Sequence, residues 1–66
     1  MEITLNGERR SIPAGGSLLD LIDGLALPRD AVVIERNGKI VDRADYGETL
    51  LAGSDVIELV RIVGGG

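Results

Sequence analysis

Hydrophobic and polar residues alternate from the start of the chain, with Met1, Ile3 and Leu5 set against Glu2, Thr4 and Asn6. A period of two marks a half-buried β-strand. Asn6-Gly7 follows at once, a pair suited to a type I′ hairpin because both central residues must take positive φ. Residues 8–12 then return as a second strand with Ile12 inward, while Glu8, Arg9 and Arg10 suit an exposed sheet edge. Pro13 ends the pairing because it has no N–H to donate. After Ala14-Gly15-Gly16 the period becomes helical: Leu18, Leu21, Ile22 and Leu25 stand at i, i+3, i+4 and i+7. Ser17 is placed to cap this helix and Asp20 sits near the positive end of its dipole. Gly24 weakens or caps its end, and Pro28 forbids continuation. About two turns of helix do not persist alone in water, so a sheet must lie beneath it.

A β-branched run over residues 31–36, a second Asn-Gly at Asn37-Gly38 and residues 39–42 predict another hairpin. Residues 43–51 show no clear period and are expected to form a corner with a short helical turn, tucked onto the core by Tyr46, Leu50 and Leu51. After the turn at Gly53-Ser54-Asp55, residues 56–63 form the longest predicted strand. The order ββαββ predicts an α+β domain over residues 1–63: a β-grasp-like mixed sheet of four to five strands crossed by one short helix. The helical crossover places the first and last strands centrally and parallel. In the last strand Ile57 and Leu59 are expected inward, which puts Glu58, Val60 and Ile62 on the outer face. Exposed β-branched residues beside the chain end predict a docking surface.

Composition narrows the chemistry. The chain has 66 residues, one domain near the lower size limit for an unstapled core, and it contains no cysteine and no histidine. Disulfides, Cys/His zinc sites, thiol nucleophiles, imidazole bases and Ser-His-Asp triads are thereby excluded. Tyr46 is the single aromatic residue, so the core must be aliphatic. With a net charge of −4, no basic stripe beyond Arg9-Arg10 and no stacking aromatics, nucleic acid is not an expected partner. No apolar run is long enough to span a membrane, and Glu2 and Asn6 interrupt any leader-like start, so a soluble cytoplasmic protein is expected. Gly15-Gly16-Ser17 lacks the lysine of a phosphate-binding loop and is expected to free the helix cap. Asp20/Asp23 and Asp42/Asp45 are expected as solvated faces rather than metal ligands, and no hydroxyl has a base to activate it. Neither a metal nor a bound cofactor is expected, and the chain is not expected to be an enzyme.

What remains is the end of the chain, Val63-Gly64-Gly65-Gly66. Three glycines offer no side-chain chemistry and little obstruction, and the arm reaches at most ~10 Å, enough to enter a narrow channel. A carboxylate is inert as an acyl donor until it is converted to a mixed anhydride with AMP. That step needs ATP and a preorganised site on another protein. The tail, residues 64–66, is then a substrate, and the folded domain is the handle by which an enzyme holds it.

Three stretches carry a resemblance: Met-x-Ile-x-Leu-Asn-Gly-Glu at residues 1–8, Asn-Gly-Lys-Ile-Val-Asp-Arg at 37–43, and Val-Ile-Glu-Leu-Val-Arg-Ile-Val-Gly-Gly-Gly at 56–66. Together with the length and order of elements, they make the whole chain similar to the ThiS family, the ubiquitin-like sulfur carriers of thiamin biosynthesis. The resemblance implies that an E1-like (ThiF-like) adenylyltransferase uses ATP to activate the C-terminal carboxylate of Gly66. Sulfur from cysteine, delivered by a donor such as a cysteine desulfurase, would then give a thiocarboxylate. Thiazole synthase (ThiG-like) would be the acceptor. Gly65 and Gly66 match the family's terminal pair, and Gly64, Gly65, Val60 and Ile62 are expected to contact partners. The chain departs from the family pattern at Asp42, where proline is expected, in the longer Gly53-Ser54-Asp55 turn, and in its third glycine. Alternatives with the same outline are a molybdopterin synthase small-subunit-like carrier, a ubiquitin-like protein modifier, and a β-grasp interaction module without terminal chemistry.

Overall fold

The computed structural model describes residues 1–62. Along them run β1 (Glu2–Leu5), β2 (Glu8–Ser11), α1 (Leu18–Gly24), a 3-10 turn (Arg29–Ala31), β3 (Val32–Arg36), β4 (Lys39–Val41), a second 3-10 turn (Arg43–Asp45) and β5 (Val56–Arg61). Both Asn-Gly pairs take the left-handed geometry that type I′ turns require, with φ of 49° and 83° at Asn6-Gly7 and of 51° and 84° at Asn37-Gly38. Each closes a hairpin at the adjacent residues, Leu5 opposite Glu8 and Arg36 opposite Lys39. The five strands form one mixed sheet in the order β2-β1-β5-β3-β4. β5 is its middle strand, parallel to β1 and antiparallel to β3.

The core lies between this sheet and α1. β1 contributes Ile3 and Leu5, β3 contributes Val32 and Ile34, and β5 contributes Ile57; Leu18 and Ile22 of α1 meet them. Leu21 and Leu25 of the predicted stripe are half-buried at its rim. α1 starts in a reciprocal capping box: Asp20 N–H donates to Ser17 Oγ at 3.1 Å and Ser17 N–H donates to Asp20 Oδ2 at 2.9 Å. Its C-terminus differs from expectation. Gly24 is the last helical residue, and the left-handed position falls on Ala26, φ 57°. Leu27 N–H donates to Ile22 O and Ala26 N–H to Asp23 O, each at 3.0 Å, which is the Schellman arrangement with alanine in the place usually held by glycine.

The 43–51 corner also departs from expectation at one residue. Tyr46 and Leu51 are buried, but Leu50 is 61% exposed. Leu50 forms an isolated antiparallel bridge with Ser17, so the backbone there is extended and successive side chains alternate. Leu51 N–H donates to Gly16 O at 2.9 Å, which fixes Leu51 inward and Leu50 outward.

Tyr46 does more than fill space. β4 pairs with β3 only from Ile34 to Arg36, which leaves the start of β3 without a strand on that side. The Tyr46 hydroxyl occupies the gap, donating to Val32 O at 2.9 Å and accepting from Ile34 N–H at 3.2 Å. Both bonds are buried, so their loss would leave a donor and an acceptor dry. Tyr46→Phe is expected to lower the unfolding free energy by about 1–3 kcal/mol with an unchanged denaturant slope. Urea unfolding measures this, and an unchanged midpoint would show that the hydroxyl carries no such burden.

Candidate functional site on the open sheet face

β5 reaches its position through polar side chains as well as backbone pairing. Asn37 Oδ1 accepts from Val56 N–H at 2.8 Å, and Asn6 Oδ1 accepts from Leu59 N–H at 2.8 Å. The same asparagines that make the two tight turns thus hold the central strand from both sides. Asp55, just before β5, is buried. Its carboxylate accepts from Ala52 N–H at 2.8 Å, Arg36 Nε at 2.9 Å and Asn37 Nδ2 at 3.0 Å. Burial pushes the Asp55 carboxyl up, but the hydrogen bonds from Ala52, Asn37 and Arg36, together with the Arg36 charge, outweigh it and hold the group below its usual range. Sequence reasoning placed Asp55 in a turn and missed this anchor; a lone Arg36 in a strand and a distant aspartate give no periodic signal.

Alternation along β5 divides its side chains. Ile57 is fully buried and Leu59 half-buried on the helix side, while Val56, Glu58, Val60 and Ile62 face the other way. Val60 is 58% and Ile62 49% exposed, as the pattern predicts. Two further apolar residues that the pattern did not single out extend this face: Val56 from β5 and Ile40 from β4, the latter 74% exposed. Among the described residues no helix covers this side of the sheet. Gly66, expected to carry the chemistry, and Gly64 and Gly65, expected to contact partners, lie outside the described residues, as does Val63.

Among the described residues no group of three or more histidine, cysteine, aspartate or glutamate side chains is arranged to hold a metal ion. Asp20 is engaged in the capping box and Asp23 in an ion pair with Arg29 at 2.8 Å. A groove beside α1, bordered by Ile12, Pro13, Leu21, Leu25 and Leu51, is apolar and lies on the helix side. No described helix is long and apolar enough to cross a membrane.

A five-stranded mixed sheet crossed, among the described residues, by one short helix defines a ubiquitin-like β-grasp domain. The chain belongs to the ThiS family, which it matches over residues 3–66, the three glycines included. It is 41% identical over 51 residues to the sulfur carrier protein ThiS of Bacillus subtilis, a match covering 77% of each chain. It is 42% identical over 66 residues to a thiazole synthase of Magnetococcus marinus and 32% identical to one of Paramagnetospirillum magneticum. The chain spans 20% of the length of each of these two synthases. A crystal structure of the thiamine biosynthesis protein (ThiS) from Geobacter metallireducens superimposes over the whole of both chains with a TM-score of 0.83 and 25% identity.

Because the folded Asp55 carboxyl is held below its unfolded value near 3.8, its stabilising contribution is full above that value and is lost as pH falls through the lower folded value. Acid unfolding of the native chain is therefore expected to steepen below about pH 4. Asp55→Asn is expected to lower stability at neutral pH by about 2 kcal/mol, less than for a fully buried pair because the Arg36 side chain is 30% exposed. The variant should also flatten the acid limb. Thermal unfolding across pH measures both, and parallel profiles for the two proteins would refute the anchor.

Proposed function

We propose that this domain is a sulfur carrier for thiazole formation in thiamin biosynthesis, acted on by other proteins rather than acting as an enzyme. The observation that carries the reading is the ThiS family match over residues 3–66, the three glycines included, on a fold that leaves one face of its sheet open. In this reading Gly66 ends in a free carboxylate. A carboxylate oxygen attacks the α-phosphorus of ATP and displaces pyrophosphate, giving an acyl adenylate in the site of an E1-like adenylyltransferase. The terminal sulfur of a persulfide, supplied by a donor system such as a cysteine desulfurase, then attacks the carbonyl carbon and AMP leaves, giving an acyl disulfide. A thiol cleaves its S–S bond, is itself oxidised to a disulfide with the donor sulfur, and releases the acyl sulfur. The product is a thiocarboxylate at Gly66. Glycine suits the position because an acyl carbon without a neighbouring Cβ is open to both attacks.

The acceptor we infer is thiazole synthase, which the names of the Magnetococcus and Paramagnetospirillum relatives support. Val60 and Ile62 are the docking contacts, and Gly64 and Gly65 thread the arm into the partner's channel. ATP serves the partner, no cofactor is held by the chain itself, and the cytoplasm is the compartment in which these partners act.

Pyrophosphate exchange catalysed by the host adenylyltransferase, with this chain as acyl substrate, tests the reading. Removal of Gly66 should abolish exchange. Gly66→Ala should fold normally yet turn over more slowly, because its Cβ crowds the channel. Val60→Asp or Ile62→Asp should raise KM about tenfold or more, equivalent to about 1.4 kcal/mol, while unfolding stays cooperative. Exchange that ignores both the tail and the open face would leave a plain interaction module.

A further inference from the structure

The register of β3 against β5 sets Glu35 directly opposite Glu58. Their neighbours Ile34 and Ile57 are fully buried, so alternation turns both carboxylates onto the open face. Directly opposed residues have Cβ atoms about 4.5–5.5 Å apart, and like charges there oppose strand pairing. Among the described residues neither glutamate has an ion-pair partner: Arg9 pairs with Glu2, Arg29 with Asp23 and Arg36 with Asp55. Neither takes part in a side-chain hydrogen bond among those residues. The pair is also not at the rim. Val56 and Val60 flank Glu58 along β5, Val33 flanks Glu35 along β3, and Ile40 stands opposite Glu35 on β4. Two carboxylates of like charge thus face each other among apolar side chains, an arrangement that disfavours this strand pairing and that a cation placed between them would relieve.

We propose that Glu35 and Glu58 together form a seat for one arginine side chain of the protein that docks on this face, with Val33, Val60 and Ile40 as its aliphatic border. The proposal rests on the docking role assigned above to the same face. A guanidinium suits the seat because its planar fork can donate to two carboxylates at once, and it is more weakly hydrated than an ammonium. The net charge of −4 adds long-range attraction to a basic surface.

The test uses the full chain and the adenylyltransferase in pyrophosphate exchange, with Glu35→Gln, Glu58→Gln, the double variant and Ile62→Asp. The amide substitutions keep shape and remove charge. Thermal unfolding of the double variant should be unchanged or higher, since the repulsion is gone. Its KM should rise about tenfold or more and its dependence on salt should flatten. Wild-type KM and salt slope in the double variant, with Ile62→Asp still impaired, would overturn the arginine seat and leave docking intact. If Ile62→Asp is also unimpaired, the docking role itself fails and the seat fails with it. A lower unfolding temperature in the double variant would show instead that the two carboxylates support the fold, contrary to the proposal.

Discussion

β5 is bonded to β1 on one side and β3 on the other, and its side chains must serve two environments at once. On the helix side Ile57 closes the core beneath α1; on the other side Val56, Glu58, Val60 and Ile62 stay uncovered. A one-residue slip of this strand would exchange the two sets, burying Glu58 and expelling Ile57. The surrounding polar contacts act against that slip. Asn37 and Asn6 each give a side-chain oxygen to β5 backbone N–H groups, and the buried Asp55 carboxylate fastens the strand's start to the β3–β4 hairpin through Arg36 and Asn37. Register, and with it the composition of the open face, is therefore set by specific hydrogen bonds as much as by hydrophobic burial.

Small size explains why so much depends on these contacts. A domain of this length buries a modest share of its surface and has little apolar area to spare. With neither cysteine nor histidine, the chain has no disulfide or Cys/His zinc site to compensate. Its polar groups instead satisfy one another: the Ser17–Asp20 capping box, the Tyr46 hydroxyl beside β3, and the Asp55 cluster. No buried side-chain nitrogen or oxygen among the described residues lacks a hydrogen-bond partner. Against that economy, opposed glutamates on an open apolar face are a departure, and departures from local consistency are where function is to be sought.

Much of this was legible in the sequence because it is written in short-range rules. The Asn-Gly pairs gave both hairpins, the i, i+3, i+4 spacing gave α1, and alternation along residues 56–62 gave the exposure of Val60 and Ile62. What was not legible depends on contacts between distant residues. Leu50 looks like a core residue until its bridge with Ser17 fixes the phase of the 43–51 corner. Ala26 takes the left-handed helix end although Gly24 stands two residues earlier, because the Schellman bonds are counted from Ile22 and Asp23. The Asp55–Arg36 anchor and the Glu35–Glu58 opposition exist only once β3 and β5 are aligned.

ThiS family membership, a central strand fixed in register and an uncovered sheet face together support the proposal that this domain is a handle for other proteins. The intact mass of the chain after incubation with adenylyltransferase, ATP and a sulfur donor tests that account most directly. Exchange of one oxygen for one sulfur, lost when Gly66 is removed, is the predicted result. An unchanged mass, with an adenylyltransferase shown to be active on a control substrate, would contradict it.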